Sequence, residues 1–118
     1  MNQKGNIMHT ILPLSDFQIT PTVYRFEGGT YGDVAISFFL VHSEPGQGAS
    51  LHTHPYAEVF LVQEGKVAFV VGSETVTVTD GHVVIVPALT PHKFTNAGTT
   101  PLRMCGIHPT KEIIQHPA

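Results

Sequence analysis

Two short segments of the chain carry residue types that bind transition metals. The first segment holds His52, His54 and Glu58, and the second holds His92. Imidazole is the commonest metal-binding side chain, and carboxylate oxygens often accompany it. Eight histidines in 118 residues is also a high count for so short a chain. These four side chains are therefore candidates for a single metal site.

The spacing within the first segment supports a shared site. Residues two apart on a strand point to the same face, so His52 and His54 can offer two imidazoles to one point. Pro55 cannot continue a central strand ladder, so the chain should bend there and can return Glu58 beside the two histidines. Such a set leaves coordination positions open on one side of a metal. His92 could complete a three-histidine, one-glutamate site from a neighbouring strand.

Short strands separated by turns must position these residues. Nine prolines and eleven glycines fall mostly between runs of β-branched, aromatic and alternating residues. No long amphipathic helix is evident, although residues 111–116 could form a short turn. The pattern therefore predicts an all-β sandwich or barrel. The predicted strands are residues 34–41, 59–63, 66–71, 75–79, 83–86 and 102–108. Residues 83–86 are expected to be buried throughout.

The two segments resemble the two sequence motifs of the cupin superfamily. Residues 46–65 match the first motif, G-x5-H-x-H-x3-E-x6-G, at every defined position. Residues 81–96 resemble the second motif, G-x5-P-x-G-x2-H-x3-N, at Gly81, Pro87, His92 and Asn96. The resemblance implies a cupin-type double-stranded β-helix, which is a jelly-roll barrel, as a single domain over residues 1–118. Its N-terminal strands would lie within residues 17–43 and its C-terminal strand at 102–108.

The second motif differs from the family pattern at one position. The family usually has glycine where this chain has Leu89. Glycine adopts positive φ readily and leucine does not. The turn before His92 is therefore open to another shape, and Leu89 could also narrow the mouth of the pocket. The substitution removes no ligand.

The resemblance also implies a cofactor and a range of activities. The cofactor would be one divalent transition metal, with Fe, Mn, Ni, Co, Cu and Zn all open because this ligand set selects weakly among them. Small cupins with these ligands are often dioxygenases acting on small organic molecules, with Glu58 serving as ligand or general base. Isomerases, decarboxylases and lyases that use the metal as a Lewis acid are an alternative. A non-catalytic sensor of a metal or small ligand is another.

Strand alternation predicts which side chains surround the site. Four apolar residues share a face with a ligand or with His108 and are expected to line the pocket, although core packing explains them equally well: Phe60, Val62, Phe94 and Met104. His108 itself could enter the barrel as an acid/base residue, while a purely structural role is the favoured alternative. Tyr56 could edge the pocket or lie on the surface.

Composition bears on location and partners. The net charge is −3, and the six lysines and arginines form no basic block, which disfavours binding to nucleic acid or to a membrane surface. Cys105 is the single cysteine, which fits a reducing compartment. The N-terminal segment lacks the apolar stretch of a signal peptide, so a cytoplasmic protein is expected. The open edges and outer face of such a sandwich favour a homodimer.

Overall fold

The computed structural model describes residues 9–118, and the first eight residues of the N-terminal segment lie outside the described part. Eleven strands are found within residues 9–118, together with short 3₁₀ turns at Leu14–Phe17 and Gly28–Tyr31. The strands are β1 (Gln18–Thr20), β2 (Val23–Glu27), β3 (Ser37–Ser43), β4 (Gly48–Thr53), β5 (Glu58–Glu64), β6 (Lys66–Val71), β7 (Glu74–Thr79), β8 (His82–Val86), β9 (His92–Asn96), β10 (Leu102–His108) and β11 (His116–Pro117).

The strands form two antiparallel sheets. The six-stranded sheet has the order β1-β2-β3-β10-β5-β8, and the five-stranded sheet has the order β11-β4-β9-β6-β7. From β4 onward the chain crosses repeatedly between the sheets, because β4, β6, β7 and β9 belong to one and β5, β8 and β10 to the other. This double-sheet arrangement confirms the predicted all-β jelly roll. No helix in the described part of the chain is long and apolar enough to cross a membrane.

The core lies between the sheets and follows the period-2 alternation of the strands. Val62 and Met104 come from the six-stranded sheet, and Val67 and Phe69 come from the five-stranded sheet. All four side chains are fully buried. Packing between two inner faces fixes the register of each strand, because a shift of one residue would expose every core side chain.

The structure corrects two details of the predicted strands. Residues 83–86 are not buried throughout, since Val83 is 59% and Ile85 66% exposed. They belong to β8, which is an edge strand whose alternate side chains point away from the core. The strand predicted from residue 34 instead begins at Ser37, and both Val34 and Ile36 are largely exposed before it.

Candidate metal centre

The four predicted metal ligands meet at one end of the space between the sheets. One ligand atom from each of His52, His54, Glu58 and His92 lies within 4.8 Å of the others, and all four residues are buried. His52 is paired directly with His92 across the β4–β9 ladder. After His54 the chain bends at Pro55, as expected, and crosses to the other sheet, where Glu58 begins β5.

Hydrogen bonds to backbone carbonyls fix the orientation of all three imidazoles. The Nδ1 atom of His52 lies 2.6 Å from the Ser50 carbonyl, and that of His92 lies 2.9 Å from the Thr90 carbonyl. A carbonyl only accepts, so each Nδ1 carries the proton and each Nε2 presents a lone pair. The Nδ1 of His54 donates in the same way to the carbonyl of Ile114, at 2.8 Å. This tautomer is the one that metal-binding histidines adopt.

The converging atoms need a positive charge between them. Glu58 Oε1 lies 3.0 Å from the Nε2 of His54 and 3.1 Å from that of His92. Between neutral imidazoles and a carboxylate these contacts would be repulsive, so they require a proton on an imidazole or a metal ion between the groups. Within the described residues the buried Nε2 of His54 also makes no properly directed hydrogen bond. A divalent metal ion satisfies all of these atoms at once, so the donor set fits the predicted cofactor.

The same crowding shifts the pKa values of the ionisable groups in the site. Burial alone would raise the pKa of Glu58, but the imidazoles of His108, His54 and His92 outweigh it and hold that pKa far below its usual value. Burial lowers the pKa of His52. Burial also acts to lower the pKa of His92, but the bonds to Glu58 and to the Thr90 carbonyl prevail and raise it. Glu58 is therefore ionised and ready to bind a cation.

His108 also belongs to the site, beside the four ligands. Its side chain is buried, and its Nε2 lies 3.0 Å from Glu58 Oε2, the oxygen that faces away from His54. On the other side of the ring, Nδ1 lies 2.6 Å from the hydroxyl of Tyr56. That hydroxyl accepts a hydrogen bond from the Ile114 N–H, at 3.1 Å, and its own proton is within reach of both His108 Nδ1 and, at 3.3 Å, the Ile114 carbonyl. When the hydroxyl donates to Nδ1, which is the shorter contact, His108 carries its own proton on Nε2, beside Glu58 Oε2.

The C-terminal segment completes the surroundings of the site. β11 pairs with β4, with His116 opposite Thr53 and Pro117 opposite His52. Ile114, just before β11, binds the ring of His54 through its carbonyl and the hydroxyl of Tyr56 through its N–H. No sequence pattern indicated this role for Ile114, because these contacts span 58 to 60 residues.

Gly106 is another part of the site that sequence reasoning missed. It lies on β10 opposite Phe60, and a Cβ built there would come within 2.6 Å of Glu58 Oε2 and 3.2 Å of the Phe60 ring. Real Cβ atoms almost never make a contact of 2.6 Å. Because residue 106 has no side chain, the Glu58 carboxylate can occupy this space.

A cavity of about 550 Å³ extends from the site between the sheets. His52, Glu58 and His108 line its inner end. Phe60 and Phe94, two of the predicted pocket residues, lie in its wall. The other two, Val62 and Met104, are not in the wall but fully buried in the core, because they lie farther along their strands from the metal site.

The turn before His92 keeps a left-handed residue despite the loss of glycine. Leu89 has φ of 63°, so the turn does not take another shape. Its N–H donates to the carbonyl of His54 at 2.8 Å, which ties the second motif to the first. The side chain is 71% exposed and is not part of the cavity wall, so it does not narrow the pocket mouth.

Comparison with protein families places this geometry in a known group. The family model described as Cupin domain matches residues 39–108, which is more than half of the chain. The chain belongs to the cupin family. The matched region contains all four metal ligands as well as Tyr56, Gly106 and His108. Family membership and the ligand geometry together establish a cupin with a site for one divalent transition metal.

The solved structures and the curated protein described next are similar to this cupin and longer than it. The oxalate decarboxylase of Bacillus subtilis, studied for its Mn(II) centres, gives a TM-score of 0.74 at 26% identity, covering 80% of this chain and 27% of that chain. An oxalate oxidase gives a TM-score of 0.71 at 18% identity, covering 85% and 57%, a likeness that shows the fold alone. The melibiose operon regulatory protein of Escherichia coli (strain K12) is 32% identical over 69 residues, which are 58% of this chain and 22% of that protein.

Proposed function

We propose that this cupin is a metal-dependent enzyme of the dioxygenase or oxidoreductase type that acts on a small organic molecule. The observation that carries the proposal is the position of the metal site at the inner end of a cavity, with His52 and Glu58 in the cavity wall. Four protein ligands leave two positions free in an octahedral metal. Both a substrate oxygen and a second small molecule could then reach the site from the cavity.

The proposed chemistry divides between the metal and the chain. A bound redox-active metal such as Mn or Fe would supply Lewis acidity and the exchange of electrons with O2. The ionised Glu58 provides one negative charge to hold the metal. His108 is the proposed catalytic acid/base, because it lines the cavity and its Nε2 lies 3.0 Å from the Glu58 carboxylate. Tyr56, whose pKa is raised chiefly by burial, stays protonated and holds that ring in place.

Turnover tests this function most directly. The protein is loaded separately with Fe(II) and Mn(II), and O2 consumption is followed with a panel of small 1,3-dicarbonyl and catechol-like compounds. We expect stoichiometric metal and O2 uptake in the wild type. His52→Ala should lose both the metal and the activity. His108→Gln should keep the metal and lose at least about 100-fold in turnover, because it removes the acid/base group alone.

The outcomes separate the alternatives. Anaerobic turnover of a carbonyl compound that Zn(II) also supports would contradict the redox proposal and indicate a Lewis-acid isomerase, decarboxylase or lyase. A protein that binds metal and ligand with no turnover in either atmosphere would indicate a sensor. The sensor is a second candidate because the matched curated protein is a regulator, although the match covers only 22% of that protein.

We also propose that residues 1–118 form one cupin domain that acts as a cytoplasmic homodimer. Support for the dimer comes from the outer face of the six-stranded sheet, where Val59, Leu61, Val83 and Ile85 lie side by side on β5 and β8. Leu61, Val83 and Ile85 are 38%, 59% and 66% exposed. A contiguous apolar patch on a sheet is typical of a subunit interface. The lone cysteine fits a reducing cytoplasm.

A further inference from the structure

The cavity joins one charged end to mostly apolar walls. His52, Glu58 and His108 form its inner end, while Phe39, Val41 and Phe94 are among the side chains of its walls. Its polar wall residues away from the metal site are uncharged, namely Thr20, Thr22, Ser43, Gln47 and Gln115. A volume of about 550 Å³ is sufficient for a molecule with a ring-sized body.

The described part of the chain places no lysine or arginine in the cavity wall. Arg25 lies beside one wall residue, with its guanidinium 5.8 Å from the centre of the Phe39 ring. Its side chain is 39% exposed, and it pairs with Glu27 at 3.5 Å. Lys93 and Arg103 alternate with inward-facing residues on their strands and are exposed. Lys111 is paired with Asp33 at the surface.

Counting charges shows what this wall can accept. A divalent metal held by neutral imidazoles and the Glu58 carboxylate has a net charge of +1. One negative charge on a bound molecule would balance it. A dianion would leave the metal and its ligands with a net negative charge that no lysine or arginine of the described cavity wall offsets, and an uncompensated buried charge is unfavourable.

We propose that the cavity binds an uncharged or singly charged molecule and discriminates against small dicarboxylates. The molecule would chelate the metal through two nearby oxygens and carry an apolar group about the size of one ring. This inference rests on the proposed function. Two free coordination positions on the metal would allow chelation, and the aromatic walls would contact the apolar group. We therefore expect oxalate, the compound named for the structural neighbours, to bind this chain more weakly than such a molecule.

Equilibrium binding to the Co(II)-loaded protein tests the inference without any turnover. The visible absorption of Co(II) reports ligand entry during titration with 1-phenylbutane-1,3-dione or with oxalate at pH 8, where an ordinary imidazole is neutral. Metal retained after each titration is measured to detect stripping. We expect the diketone to bind at least about tenfold more tightly than oxalate.

Variants of the wall give matched controls. Gln115→Arg adds a cation in the cavity and should improve oxalate binding at least about fivefold, whereas Gln63→Arg, on an exposed site outside the cavity, should not. Val41→Thr makes the wall polar without changing its shape and should weaken diketone binding about fivefold, while Val76→Thr, at an exposed position of β7 outside the cavity, should not.

The binding measurements distinguish an incorrect substrate class from an incorrect proposed function. Oxalate binding as tight as diketone binding to a fully Co(II)-loaded protein would overturn the substrate class and leave the metal site intact. Unchanged diketone affinity in Val41→Thr would also overturn it. A wild-type protein that takes up no Co(II) would instead refute the proposed function on which the inference rests.

Discussion

Replacing Gly106 with alanine tests whether the space beside Glu58 is essential for metal binding. Gly106 is in extended backbone, so alanine is conformationally allowed there and by itself would stabilise the fold by about 0.4–1 kcal/mol. The new Cβ would lie 2.6 Å from Glu58 Oε2, whereas ordinary contacts begin at 3.4 Å. The carboxylate must therefore move by 3.4 − 2.6, which is roughly 0.8 Å.

A displacement of that size is large for a metal ligand. Metal–ligand distances are defined to within about 0.2 Å, so a carboxylate displaced by that much would no longer hold the metal at a normal distance together with the three histidines. We expect metal affinity to fall at least about 10- to 100-fold, the range seen when support of a ligand is lost. Overpacking against the Phe60 ring should also cost about 1–3 kcal/mol in the free energy of unfolding.

Competition titration against a chelator, together with thermal melts of the metal-free protein, measures both effects. Gly98→Ala is the matched control, because its new Cβ would meet its nearest neighbours at 3.4 Å and lies away from the metal site. The control should bind metal like the wild type. If Gly106→Ala binds metal with wild-type affinity, then the space beside Glu58 does not set the position of that ligand and the reasoning fails.

Two further predictions concern pH and assembly. The metal-free protein should be most stable near pH 6.5, the ordinary pKa of histidine. Above that pH the folded state still holds a proton on His92 that the unfolded chain has released, so stability falls as the pH rises. Below that pH the unfolded chain protonates His52 and the folded state does not, so stability falls as the pH is lowered. Thermal melts between about pH 5.5 and 8 check this, and a flat profile would contradict the opposite shifts of the two histidines. In sedimentation experiments the wild type should have the mass of a dimer, and Ile85→Glu should have that of a monomer because it puts a charge in the apolar patch; Thr77→Glu, on the other sheet, should remain dimeric. A wild-type mass near one chain would rule out the dimer.

The ligands could be predicted because their signal is local. His52 and His54 are separated by one residue on a strand, and Pro55 forces the bend that returns Glu58. The same period-2 pattern gave the two-sheet fold and most strand positions. Leu102–His108 was predicted with the observed boundaries, as was Lys66–Val71.

Alternation gives the face of a residue but not its depth along a strand. Val62 follows Phe60 on the inner face of β5, yet Phe60 borders the cavity and Val62 lies in the closed core. Alternation also could not show that β8 is an edge strand, so the exposure of Ile85 was missed. Both depend on which strands are neighbours, and that is a property of the whole sheet.

The roles of Leu89 and Ile114 follow the same division between local and distant interactions. The substitution of leucine for the family's glycine left the shape of the turn at position 89 open, yet Leu89 is left-handed, and its hydrogen bond to the His54 carbonyl helps to keep that conformation. Ile114 had no local signal at all, because its partners are about sixty residues earlier in the chain.

Backbone hydrogen bonds preorganise the three histidines for metal binding. His52 and His92 each donate to a carbonyl only two residues earlier, so the strand that bears the ligand also fixes its tautomer. His54 follows the end of its strand and cannot use this arrangement, so its tautomer depends on Ile114. Because Ile114 also binds Tyr56, which in turn holds His108, one backbone position orients both a metal ligand and the proposed acid/base. We therefore expect metal affinity and the proposed proton transfer to be coupled through the C-terminal segment, so that a change at Ile114 alters both.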